Sequence, residues 1–262
     1  MKTTNWIVAT LIGAFMCAPV TALAVETDPK ARLQTAEKMF AERCKKSGEF
    51  IHRTAEGVEG VFLMKLRPKE MNSGDQYKMD DPYGRDLGGD GYILTFVRGS
   101  YQAQTKGTPY PGSPPRIGYS YVEAVDPQDG RRYRYTGRID QPWLRDKSYG
   151  EWVRRFVLEK VPAPSSAPRY GVTYDDISTR EDRDYWIAGS SLKVIDLKTN
   201  EVMAERIGYM MDRGQGSKGA GSGRSPWLLA ADYACPAFAP RNGSTAQPYQ
   251  SLVFVEKILE PQ

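Results

Sequence analysis

Residues 187–211 read IAGSSLKVIDLKTNEVMAERIGYMM. Ile187 to Leu197 and Val202 to Met211 are two alternating runs rich in β-branched and apolar side chains, as half-buried strands require. The polar segment Lys198-Thr199-Asn200-Glu201 separates them, so the stretch reads as a β-hairpin. A second hairpin lies upstream. Tyr119 to Val125 and Arg131 to Thr136 flank Asp126-Pro127-Gln128-Asp129-Gly130, which is turn chemistry between alternating runs. The two hairpins are similar in length, but a single match does not make an internal repeat.

Working outward, Phe50 to Thr54 and Val61 to Leu66 flank Glu56 to Gly60 and read as a third hairpin. Tyr92 to Val97, Trp152 to Val161 and Tyr170 to Tyr174 read as further strands. Asp28-Pro29 opens an N-terminal helix, with Asp as N-cap and Pro at the first helical position. Leu33, Ala36, Phe40 and Cys44 share its apolar face, and Gly48 is placed for a left-handed stop. A short helix is expected from Ser225-Pro226 through Ala231, and another over Tyr249 to Leu259. Gly214 to Gly223 reads as a loop, and Pro162 to Pro168 as a connection between sheets. The fold class expected is α+β and β-rich. It is an antiparallel sheet or sandwich built from hairpins, with an N-terminal helix and a short C-terminal helix. No repeated strand–helix alternation points to a parallel sheet.

The chain begins with Lys2, an uncharged apolar run from Trp6 to Cys17, and Ala22-Leu23-Ala24. A basic start, a short apolar core and an A-x-A end make a cleavable secretory signal over residues 1–24. The run is too short for a membrane span, which needs roughly 20 apolar residues. A lipid anchor on Cys17 would need a small residue where Met16 stands. Cleavage leaves residues 25–262 as a single globular domain in the periplasm, with no later segment apolar enough to cross a bilayer. Two cysteines remain, Cys44 and Cys235, and in an oxidising compartment they are expected to pair. Two cysteines and the lone His52 without close spacing make a poor zinc site, so no metal and no cofactor are expected. The net charge of +4 is mild, and an exported chain rarely meets nucleic acid.

No catalytic set is readable, so the chain is not expected to be an enzyme. His52 falls in an expected strand, and no Ser occupies a G-x-S-x-G elbow. Ser190 and Lys193 match S-x-x-K, but a strand would point them to opposite faces. Asp80, Asp81, Asp86 and Asp90 lie in a Gly-rich acidic loop with Arg85. Such a loop offers oxygen ligands for Ca²⁺, but its spacing does not fit an EF-hand. The alternative is a turn whose Asp side chains cap backbone N–H groups, with Arg85 as counter-charge. Asp175-Asp176 and Glu181 to Asp184 offer paired carboxylates, as a hydrolase would need. Arg183, Asp184, Tyr185 and Trp186 combine charge with large aromatics and are the candidate partner-binding patch.

Several strings together resemble a known group. They are Cys44-Lys45-Lys46-Ser47-Gly48, Glu59-Gly60-Val61, Asp81-Pro82-Tyr83-Gly84, the stretch from Tyr170 to Asp212, and Ala234-Cys235-Pro236. They resemble an uncharacterised family of exported proteobacterial proteins whose members look like neighbours of type VI secretion lipase effectors. The resemblance covers most of the chain after the leader. It implies an immunity protein that binds and blocks such a lipase in the periplasm, with that lipase as protein partner. The alternative is an exported envelope protein of another kind, a small-ligand binder or an assembly factor, which a deep apolar pocket would favour.

Overall fold

The computed structural model describes residues 26–69, 75–83, 88–99, 118–153, 155–217, 227, 230, 233–238 and 249–262. The expected leader, Arg85 and Asp86 of the acidic loop, and most of the expected 225–231 helix lie outside these residues.

The architecture is α+β and strand-rich. Strands β1 (Gly48–Ile51), β3 (Gly60–Leu63), β4 (Tyr121–Val125), β5 (Arg132–Asp140), β6 (Arg155–Pro162), β7 (Tyr170–Asp176), β8 (Ile187–Asp196) and β9 (Glu201–Met211) form one sheet. Their order is β1-β9-β8-β7-β3-β4-β5-β6, and β10 (Ala234–Cys235) adds to β9. Strand β2 (Ala55–Val58) stands apart, paired with β11 (Leu259–Pro261).

Both hairpins with clear turn chemistry form. Strands β8 and β9 pair antiparallel from Ile187↔Met211 to Asp196↔Glu201, with a register shift at Val194/Ile195. Asn200 takes the left-handed conformation the reversal needs, with φ 59°. Strands β4 and β5 pair from Val122↔Tyr135 to Val125↔Arg132. In their turn the Asp126 carboxylate accepts from Gln128 N at 2.8 Å.

The sheet is mixed rather than wholly antiparallel, because β3 runs parallel to both of its neighbours, β4 and β7. Adjacent parallel strands need a crossover, and helix α2 (Asp90–Arg98) lies on the connection from β3 to β4. This corrects the strand expected over Tyr92 to Val97. Helix α2 buries Tyr92, Ile93, Thr95, Phe96 and Val97. Its less buried positions, Asp90, Gly91, Leu94 and Arg98, fall on one face, but Tyr92 to Val97 is a short apolar run rich in β-branched and aromatic side chains, which periodicity alone does not separate from a strand. The expected 50–66 hairpin also gives way. Strand β1 pairs with β9, from Gly48↔Ile207 to Ile51↔Ala204, while β3 takes the middle of the sheet. Gly48 opens β1, and helix α1 (Pro29–Cys44) is closed instead by Lys45 in right-handed conformation.

One face of the sheet carries the main core. Val61, Leu63, Val122, Ala124, Val172, Leu192 and Val194 pack beneath α2 and the C-terminal helix, which we number α4 (Gln250–Ile258). Each large apolar side chain buried there contributes about 1.5–3 kcal/mol. On the opposite face α1 seats Ala36 against Ile187, Tyr209 and Met211. Asp28 caps α1 as expected, accepting from Ala31 N at 2.8 Å. The far end of α1 is covalently tied, since Cys44 and Cys235 form a disulfide across a sequence separation of 191. No helix among the described residues is long and apolar enough to cross a membrane.

The β8–β9 turn is also held by charge. The Asp196 carboxylate is fully enclosed and accepts from Arg169 Nη2 and Arg53 Nη2, each at 2.8 Å. The hydrogen bond from Arg169 holds its pKa down to about 2. An unfolded Asp titrates near about 3.9. The stabilisation is therefore present above about pH 4 and is lost as pH falls from there to about 2. Replacing Arg169 with Gln returns the Asp196 pKa toward its ordinary value. Thermal unfolding across that window should show a shallower fall in stability for Arg169→Gln than for the parent. Parallel curves would refute this assignment.

Candidate binding site

The two ends of the described connection from β3 to α2 border a cavity. After β3 the chain runs through Leu66, Arg67, Pro68 and Lys69, and Gly89 N then donates to Arg67 O at 2.9 Å. Gly88 is required at this close approach, because a Cβ there would lie 1.9 Å from the Pro68 carbonyl oxygen. The approach sets the first turn of α2 beside the β4–β5 turn, and a cavity of about 800 Å³ opens between them. Leu66, Val125 and Leu158 supply apolar wall, and Tyr135 rises from β5. The rim is polar. Lys160 pairs with Asp126 and lies 3.9 Å from the centre of the Tyr133 ring. That contact holds the Asp126 carboxyl below the usual range and raises the Lys160 ammonium. Lys69 and Asp90 complete the rim.

Behind the cavity lies a buried ionic cluster. Arg67 Nη1 donates to Asp81 Oδ2 at 2.8 Å, with both side chains almost fully enclosed. Ser190 Oγ donates to the same oxygen at 2.8 Å. The guanidinium lies 3.6 Å from the centre of the Tyr174 ring. Burial pushes the Tyr174 phenol far above its usual range. Arg206, also buried, is held differently. Its Nη1 donates to Gln250 O at 2.8 Å, and its guanidinium faces the rings of Tyr83 and Phe254. Burial raises the Tyr83 phenol to about 12.

The residues singled out in the sequence divide between these settings. Asp81 is in the buried cluster, paired with Arg67. Asp90 is exposed at the start of α2, on the cavity rim. Among the described residues no group of three His, Cys, Asp or Glu side chains is arranged to hold a metal ion. His52 is exposed and follows β1 rather than lying in a strand. Ser190 turns inward to Asp81, while Lys193 turns to Asp175 and Glu205 on the other face.

Arg183 to Trp186 serve the chain's own packing. Arg183 is buried, pairs with Asp176 and donates to the carbonyls of Gln76 and Met79. It lies at the end of a short helix, α3 (Arg180–Asp184), closed by a Thr179–Asp182 capping box. Tyr185 lies beneath Arg32 of α1, and Asp184 O accepts from Arg32 Nη2 at 2.5 Å. Trp186 packs on Trp227 with ring centres 5.2 Å apart. The surface neighbour that sequence reasoning missed is Tyr77. Its hydroxyl donates to Asp184 at 2.6 Å, and Arg180 lies 3.6 Å from its ring centre. A separation of 107 residues gives no local signal of that contact.

Comparison of the chain with protein-family models, with curated proteins and with solved structures finds no match.

Proposed function

We propose that this chain is an exported periplasmic binding protein without a reaction of its own, and that it binds a small molecule in the cavity beside α2. The cavity is the observation that carries this reading. Its volume of about 800 Å³ lies within the roughly 300–1,000 Å³ of small-molecule sites. Its place, beyond the carboxyl ends of β3 and β4 and beside the first turn of the crossover helix, is where open sheets with such crossovers take ligands. The leader read in residues 1–24 and the disulfide support the compartment.

The test is calorimetric titration with 1-anilinonaphthalene-8-sulfonate, an amphipathic probe. One saturable site is expected, weakened at least tenfold by Val125→Trp, which narrows the mouth from an already exposed position. Equal affinity in both proteins removes the cavity from consideration. The narrower reading, an immunity protein that blocks a type VI lipase effector, is supported by the sequence resemblance and by the exposed Tyr77–Arg180 stack. Aromatic and Arg side chains concentrate at binding hot spots. In the same study, co-expression with such a lipase should protect cells, and Tyr77→Ala should weaken that protection. Unprotected cells dismiss the immunity role and leave the cavity reading intact.

A further inference from the structure

We propose that this protein pairs with a second copy of itself through the outer edge of β6, joining two sheets into one. Strand β6 ends the sheet order, and β5 is its only strand partner among the described residues. The phase of its hydrogen bonds is fixed. Ala163 N donates to Arg132 O at 3.1 Å, extending the register Tyr133↔Pro162. Bonded pairs alternate along an antiparallel ladder. Arg155, Val157, Glu159 and Val161 therefore turn their backbone groups toward β5, and Phe156, Leu158 and Lys160 turn theirs outward. Pro162 shares the outward phase, where its missing N–H breaks no bond to β5.

Side-chain chemistry selects the second copy and the register. A two-fold axis perpendicular to the sheet at Val157 sets Phe156 opposite Leu158 of the second copy. Both residues carry outward backbone groups, so each such pair makes two hydrogen bonds. The same axis sets Arg155 opposite Glu159 of the second copy, twice, as complementary charges; Glu159 already pairs with Arg138 of its own chain at 2.6 Å, and Arg155 would add a second cation to it. It also brings the end that carries Trp152 toward the end that carries Val161 and Pro162. Trp152 is 66% exposed and Val161 50%, the largest apolar exposures at the two ends of this edge. Moving the axis to Glu159 would oppose like charges at the centre, so charge favours Val157. Edge strands of this length invite such pairing, and an isologous two-fold contact closes it at a dimer.

The test is sedimentation velocity over ~1–100 µM protein, concentrations that resolve micromolar association. The parent is expected to sediment as a dimer. Arg155→Glu and Glu159→Arg, each alone, place like charges across the axis and should weaken dimerisation at least tenfold. An equimolar mixture of the two variants restores both ion pairs and should recover the dimer as a mixed species. That recovery also shows that each variant is folded. A parent that stays monomeric overturns the proposal and leaves the edge to an extended segment of another protein. Single variants that dimerise like the parent, or a mixture that stays monomeric, overturn it as well.

Discussion

Replacing Asp81 with Asn is expected to cost about 3–5 kcal/mol of folding stability, the range for removing one partner of a buried ion pair. The side chains of Arg67 and Asp81 are 3% and 0% exposed, so water screens neither charge. Asn has nearly the same volume, can still accept from Ser190, and tolerates the left-handed backbone at this position, where φ is 48°. The substitution therefore removes the carboxylate charge and little else from the pair with Arg67. The double variant Arg67→Met/Asp81→Asn removes both charges and should regain most of the loss. Urea unfolding of the three proteins checks this. A single variant within about 1 kcal/mol of the parent would show that the pair contributes no more than a surface bridge.

The second large effect is expected at the disulfide. The bridged cysteines are 191 residues apart, and chain entropy alone assigns such a loop about 5 kcal/mol. Native bridges of this kind are typically worth about 2–5 kcal/mol. The variant Cys44→Ala/Cys235→Ala should therefore melt lower, by about 2–4 °C for each kcal/mol lost in a chain of this size. Its far-ultraviolet circular dichroism at room temperature should match the parent. Helix α1 keeps other attachments, namely Ala36 in its apolar seat, the 3.0 Å Arg43–Asp182 pair and the 2.8 Å Arg213–Glu37 pair. Reductant added to the parent should reproduce the shift. Unchanged melting in both cases would mean that the unfolded chain is already compact enough for the bridge to be redundant.

The parts of the fold that were legible in the sequence are those written locally. Asp126 to Gly130 and Lys198 to Glu201 announced their hairpins because turn residues lie between the strands they join. Asp28-Pro29 announced α1 for a similar reason, since an N-cap acts within three residues. Strand β1 was legible as a strand but not in its partner, because the 48–51 segment and the 204–207 segment share no local signal. Helix α2 reads as a strand because a short apolar run such as Tyr92 to Val97 gives too few turns for its period to show.

The site divides the same way. The acidic character of the 80–90 loop was visible. That Asp81 would find Arg67, fourteen residues earlier, has no local signal. Arg183 to Trp186 have the composition of an interface rim. The 76–79 segment, α1 and Trp227 all arrive from elsewhere in the chain to cover them. The cavity, formed where the β3–α2 connection meets the β4–β5 turn and strands β5 and β6, left no trace in any one stretch.

The early strands find their mates at the far end of the polypeptide. Strand β1 lies against β9, and β2 lies against β11, whose last residue is Pro261. A chain emerging from its amino end thus holds β1 single until β9 has followed, and β2 until β11 has. Such distant pairings slow folding, because loop closure must be met before the contacts form. The late-arriving β8–β9 ribbon, local and long, is then the natural seed onto which the waiting amino-terminal segment zips.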